Sequence, residues 1–152
     1  MYCFQFPALP VSVNKLYTVA RGRKILTTAG RNWRQAFLAA QGGMSTKDFL
    51  AIRVEREQAY TLEVWFYIAP EDLYNLSWGV KAKTKHPYKN VDVSNLIKLV
   101  EDCIAKLVGL SDRNNFDVLL HKREAYSQGP RVVAYLYPSA LEDDPHEAGA
   151  AG

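Results

Sequence analysis

The sequence predicts a single compact α+β domain, with a mixed, mainly antiparallel sheet and two main helices packed on it. Three observations lead there. The chain has 152 residues, 48% hydrophobic and 23% charged, enough to bury one ordinary core without a disulfide or structural metal. Several short segments alternate apolar and polar residues with the period of two of a half-buried strand. Two longer stretches read as helices, and they alternate with the strands in the order strands, helix, strand, helix, two strands.

Taken in order, Tyr2 to Phe6 sets Tyr2, Phe4 and Phe6 against Cys3 and Gln5, a strand ended by Pro7 and Pro10. Lys15 to Val19 and Lys24 to Thr27 form a hairpin around Arg21-Gly22-Arg23, where the glycine marks the turn. Thr28 reads as the N-cap of a helix from about residue 29 to 41, stopped by Gly42-Gly43. Tyr60 to Ala69 is the clearest strand, with Leu62, Val64, Phe66 and Ile68 on one face and Thr61, Glu63, Trp65 and Tyr67 on the other. Pro70 to Val91 has no stable period and reads as a basic, aromatic functional loop. A helix from Val93 to about Val108 carries the stripe Val93, Leu96, Ile97, Val100, Cys103, Ile104, Leu107 and Val108, and Gly109 stops it. Phe116 to Lys122 and Arg131 to Tyr137 are the closing strands, around a turn at Gln128-Gly129-Pro130. The domain is therefore 1–138. Residues 139–152 form an acidic, Ala/Gly-rich tail expected to be disordered.

Two cysteines a hundred residues apart, with no paired Cys/His spacing, argue against a zinc module, a redox dithiol and a secreted disulfide scaffold. Cys3 on the first strand and Cys103 on the helix stripe both read as buried and inert. No apolar run approaches the roughly 20 residues of a membrane span, and no export signal is visible, so the expected setting is the cytoplasm, with no membrane partner.

Charge is informative by position. The net charge is only +3, but Glu142, Asp143, Asp144 and Glu147 lie in the tail, so the body is more basic than that total. Residues 1–47 hold Lys15, Arg21, Arg23, Lys24, Arg31, Arg34 and Lys47 and no acid. A second basic run, Lys81, Lys83, Lys85, His86 and Lys89, follows Trp78. Clusters of this kind fit contacts to a phosphate backbone, and they equally fit two solvated loops. Among the aromatics, Trp78 and Tyr88 in the basic loop are the candidates for stacking on unpaired bases.

The segment from Asn90 to Asp102 most needs a chemical account. On one continuous helix, Asn95, Lys98 and Asp102 fall on the face opposite the apolar stripe, with Asp92 at the entrance. Carboxylate and amide oxygens suit Mg²⁺ better than zinc, and an ammonium beside them would offset phosphate charge. A plainer reading fits the same residues: Asp92 as an N-cap and Lys98 with Asp102 as an i, i+4 surface pair.

Asp92-Val93-Ser94-Asn95-Leu96-Ile97-Lys98, the following Asp102, and Gly109-Leu110-Ser111-Asp112 together resemble the signature of the RusA family of Holliday junction endonucleases: D-x-D-N-L-x-K, a helical Asp, then a glycine-containing turn and further Asp. The opening Phe6-Pro7-Ala8-Leu9-Pro10-Val11-Ser12-Val13-Asn14 is similar to the family's L-P-x-P-P-S-x-N, and Arg21-Gly22-Arg23 through Trp33-Arg34 is similar to its hairpin and first helix. The likeness spans about residues 4 to 137. It implies a homodimeric, Mg²⁺-dependent endodeoxyribonuclease, with Mn²⁺ as a substitute metal. Such an enzyme resolves four-way junctions by paired symmetric nicks in recombination and repair, in a bacterial or phage-infected cytoplasm. The carried-over site is Asp92, Asp102 and Asp112 as metal ligands, with Asn95 and Lys98 beside them. The expected DNA contacts are Arg21, Arg23, Lys24, Lys81, Lys83, Lys85 and Lys89. Ser94 departs from the motif, which has Asp there, and the loss of that carboxylate leaves a branched-DNA binding protein with weak or no cleavage as the alternative.

Overall fold

The structure, a computed structural model, describes residues 1–42, 58–75 and 86–139, and only the backbone of Asp112 and Phe116. Its centre is strand β4 (Tyr60–Ile68), nine residues rich in β-branched and aromatic side chains. Two strands flank it: β5 (Asn115–Glu124) runs parallel to β4, and β6 (Arg131–Pro138) runs antiparallel on the other side. Strand β1 (Tyr2–Phe6) pairs antiparallel with β6 and completes the order β1-β6-β4-β5. The sheet is thus mixed and mainly antiparallel, as its sequence predicts.

The period of two sorts the sheet into two faces. Phe4, Leu62, Val64, Phe66, Ile68, Val132, Ala134 and Leu136 share one face and are fully or almost fully buried. Helix α2 (Thr28–Ala40) contributes Trp33 and Phe37 to the same core, and helix α4 (Ile97–Val108) contributes Leu99, Val100, Cys103 and Ile104. Trp33 stacks on Phe37 with ring centroids 5.0 Å apart, Phe6 meets both edge-on, and the indole N–H donates to Ala8 O at 3.3 Å. Gly109 ends α4 with φ +70°, in the left-handed region open to glycine at low cost.

Several local readings change. The N-cap of α2 is Thr27, one residue earlier than Thr28, because its hydroxyl accepts the Gly30 N–H. The first half of the Lys15 to Val19 segment is a single helical turn, α1 (Val13–Leu16). The hairpin itself is β2 (Tyr17–Ala20) against β3 (Arg23–Leu26), a separate two-stranded sheet. A short helix, α3 (Pro70–Leu73), opens with Pro70 immediately after β4. The 93–108 helix is not continuous: Val93–Asn95 is a 3₁₀ turn, and the α-helix begins only at Ile97. The closing strands do not pair with each other, since β4 lies between them and Ala125 N–H bonds Ile68 O at 2.7 Å where the chain crosses over its end. Ser139 belongs to the folded body, with its N–H on Ala59 O and its hydroxyl 2.8 Å from Thr61 Oγ1, whereas the expected tail beyond it lies outside the described residues.

Among the described residues no helix is long and apolar enough to cross a membrane. Cys103 is buried as read, and burial pushes its thiol up to about 12, but Cys3 is exposed, on the face of the sheet opposite Phe4. A thiol reagent at pH 8 is therefore expected to modify one cysteine in the native protein and both after denaturation. Rapid labelling of two thiols in the native state would contradict this placement of α4.

Candidate functional site

Asp92 caps the 3₁₀ turn at the entrance to α4. Its Oδ1 accepts the Ser94 N–H at 2.9 Å and the Ser94 hydroxyl at 2.6 Å, and Asn95 N–H closes the turn on Asp92 O at 3.1 Å. The short Asp-x-Ser spacing lets one carboxylate satisfy two donors, which favours the tighter 3₁₀ start. These bonds, the hydroxyl's first, and the nearby Lys122 ammonium hold the carboxyl below the usual range, so it is ionised at neutral pH. Lys122 itself donates to Val91 O at 3.1 Å, which fixes its ammonium beside this turn.

Lys98 and Asp102 are one helical turn apart on α4 and form an ion pair at 2.9 Å, both about half exposed. The bond to Asp102 raises the Lys98 pKa, with Glu101 and Tyr17 adding to it, so the ammonium is charged. An exposed pair of this kind contributes little to stability, so an incoming phosphate can compete for the lysine. Asn95 lies in the 3₁₀ turn before the α-helix that carries Lys98 and Asp102, rather than on α4 itself.

Asp112 lies at the other end of α4. It opens a 3₁₀ turn, Asp112–Asn114, that leads into β5, where Asn115 pairs with Tyr60, whereas Lys122, beside Asp92, pairs with Phe66. The 12 residues of α4 separate the two aspartates, a rise of about 18 Å, which no pair of Asp side chains can span. Among the described residues no three His, Cys, Asp or Glu side chains converge on a point where a metal could sit. One chain thus brings together Asp92, Ser94 and Lys122, and separately Lys98 and Asp102, and leaves Asp112 remote.

The basic hairpin is where the sequence put it. Arg21 and Gly22 at its tip both have positive φ, +50° and +71°, as the favoured two-residue hairpin turn requires. Among the described residues Arg21 is the non-glycine residue that takes this strained region, and it sets a guanidinium at the exposed tip. Arg23 is exposed next to it, and the Lys24 ammonium sits 4.4 Å from the centre of the Tyr17 ring. Lys89 is exposed, and its side chain donates to Glu71 O. Lys81, Lys83 and Lys85, with Trp78, lie outside the described residues, but the chain on either side is clamped: Asn75 N–H bonds Pro87 O at 2.8 Å, and the Asn75 amide donates to His86 O and Tyr88 O.

Sequence reasoning did not single out Lys122, Tyr74 or Tyr126. Lys122 reads as one more strand residue, and only the parallel pairing of β4 with β5 carries it to Asp92. The chain matches no protein-family model and no curated protein, so its likeness to the junction endonucleases rests on the residues quoted above.

Proposed function

We propose that the protein is a homodimeric, Mg²⁺-dependent endonuclease acting on four-way or other branched DNA. The observation that carries this reading is Asp92: an exposed, ionised carboxylate at the mouth of α4, with Lys122 beside it, in a chain that also presents an exposed cationic hairpin. Its Oδ1 is held by Ser94, and Oδ2 accepts no hydrogen bond among the described residues. That donor set fits Mg²⁺, which keeps several waters and takes one or two carboxylates together with substrate phosphates. When bound, the metal supplies a more acidic water and a Lewis acid for the scissile phosphate.

The protein's own groups supply the rest. Lys122, anchored on Val91 O, is set to neutralise a phosphate next to Asp92. Lys98 exchanges Asp102 for a second phosphate oxygen. Arg21, Arg23 and Lys24 hold a DNA arm by its backbone. The separation of Asp92 from Asp112 makes the dimer a requirement of this reading, because the second carboxylate then comes from Asp112 of another copy. Two such composite sites related by a two-fold axis suit paired nicks.

A second reading, a branched-DNA binding protein with little or no cleavage, is favoured by the Ser94 bond to Asp92. A neutral hydroxyl stands in the motif's second acidic position and draws on the first acid. A labelled synthetic four-way junction decides between them. Nicking in Mg²⁺ or Mn²⁺ is expected, with affinity that falls steeply as salt rises. Salt-sensitive binding without nicking in either metal would leave only the second reading.

A further inference from the structure

Beyond the sheet end that carries Lys122, the chain forms a cavity of about 400 Å³ that no role above uses. Its walls include Tyr74, Tyr88 and Tyr126, with Lys122, Arg123 and Glu124 from the end of β5. The volume lies within the roughly 300–1,000 Å³ of small-molecule sites. Two of its rings are held in water at a cost: Tyr88 is 64% exposed and Tyr126 77% exposed. Large aromatics at the mouth of a cavity rimmed by cations offer flat faces to a flat, anionic ligand.

The cavity is built rather than accidental. Tyr74 and Tyr88 form an isolated antiparallel bridge that fixes their backbones, and their rings stand 6.0 Å apart at 44°, an open wedge rather than a closed stack. The Tyr74 hydroxyl donates to Glu124 Oε2 at 3.0 Å, which orients the carboxylate and leaves Oε1 for another donor. Lys122 lines the cavity and its ammonium lies beside Asp92, so one side chain links the two places.

We propose that this cavity takes a single unstacked nucleotide, its base against Tyr88 and Tyr126, its exocyclic amine on Glu124 and its phosphate on Lys122. A carboxylate accepts from an exocyclic amino group such as that of cytosine, so a cytosine nucleotide is a fitting ligand and a thymine nucleotide, which has no such group, binds less well. The idea deepens the nuclease reading and rests on it for its purpose, since a base drawn out of a junction here would hold its own phosphate next to Asp92. Its test does not depend on cleavage.

The 152-residue chain carrying 3-fluorotyrosine at its nine tyrosines, with resonances assigned by single Tyr→Phe replacements, is titrated with dCMP, dTMP and 2-deoxyribose 5-phosphate. The expected result is that dCMP shifts the Tyr74, Tyr88 and Tyr126 signals, dTMP does so several-fold more weakly, and the sugar phosphate leaves them in place. Tyr126→Ala, at an exposed site, is expected to weaken dCMP binding about tenfold, the usual scale of one lost base stack. Unmoved tyrosines, or equal shifts with the sugar phosphate, would overturn the site, and equal affinity for dTMP would overturn the role of Glu124. If the signals stay put while junctions are nicked, this inference fails alone. If they move and no junction is nicked, the nuclease reading fails alone.

Discussion

Replacing Phe66 with alanine is expected to destabilise the domain by about 3–5 kcal/mol, the largest stability effect of any single change considered. Phe66 has no exposed surface and sits on the central strand, between Val132 on one side and Lys122 on the other. Truncation there removes a ring from a core closed on both flanks by strands and above by α2 and α4, so the hole cannot easily collapse. For a domain of ordinary stability, about 5–15 kcal/mol, the loss is a large fraction of the whole. It would lower the urea midpoint by roughly 2 M if m is about 2 kcal/mol/M. Leu119→Ala is the contrast: on edge strand β5 that side chain is 44% exposed, and the expected change is within about 0.5 kcal/mol. Equal effects at the two positions would mean that the central strand is misassigned.

Asp92→Asn is expected to have the largest effect on activity, reducing junction nicking about a thousandfold or more, a loss of about 4 kcal/mol in transition-state stabilisation. The change is informative because asparagine caps as well as aspartate does. The side-chain oxygen still accepts the Ser94 N–H, so the 3₁₀ turn, the thermal midpoint and junction affinity in EDTA should all stay close to wild type, while the charge that a cation needs is gone. The composite site gives a sharper form of the experiment. If each site joins Asp92 of one copy to Asp112 of another, mixing Asp92→Asn with Asp112→Asn protein, each inactive alone, creates heterodimers with one intact site, and single-strand nicking returns. No recovery after demonstrated subunit exchange would rule out the shared site.

The fold was legible wherever a local period matched a buried face. The alternation from Leu62 to Ile68 and the stripe through Val100, Cys103 and Ile104 both point into the core, as the burial of those residues bears out. The break at Val93–Asn95 was not legible from that stripe. Val93, Leu96 and Ile97 satisfy a helical period whether the first turn is α or 3₁₀, and the choice is made by two hydrogen bonds to one carboxylate. Strand order was hidden for another reason. A glycine-containing turn between β5 and β6 invites a hairpin, and only the demand of β4 for cover on both edges separates them. At the site, the basic tip at Arg21 could be read from Arg-Gly-Arg, and the capping role of Asp92 from its place before the helix. The distance to Asp112 is a matter of helix length, which motif spacing conceals: residues close in a signature are carried apart by every turn between them. Of the tyrosine-lined cavity only Tyr88 could be read from the sequence, as a stacking candidate in the basic loop, because Tyr126 joins Tyr74 and Tyr88 only when β5 aligns beside β4.

Strand β1 pairs with β6, far along the chain, Tyr2 opposite Leu136. During translation β1 leaves the ribosome with no partner and must wait until β6 has been made, so the sheet cannot close before then. Contacts this distant in sequence slow folding, and a nascent chain stalled before Arg131 would leave the apolar edge of β4 open to neighbouring chains.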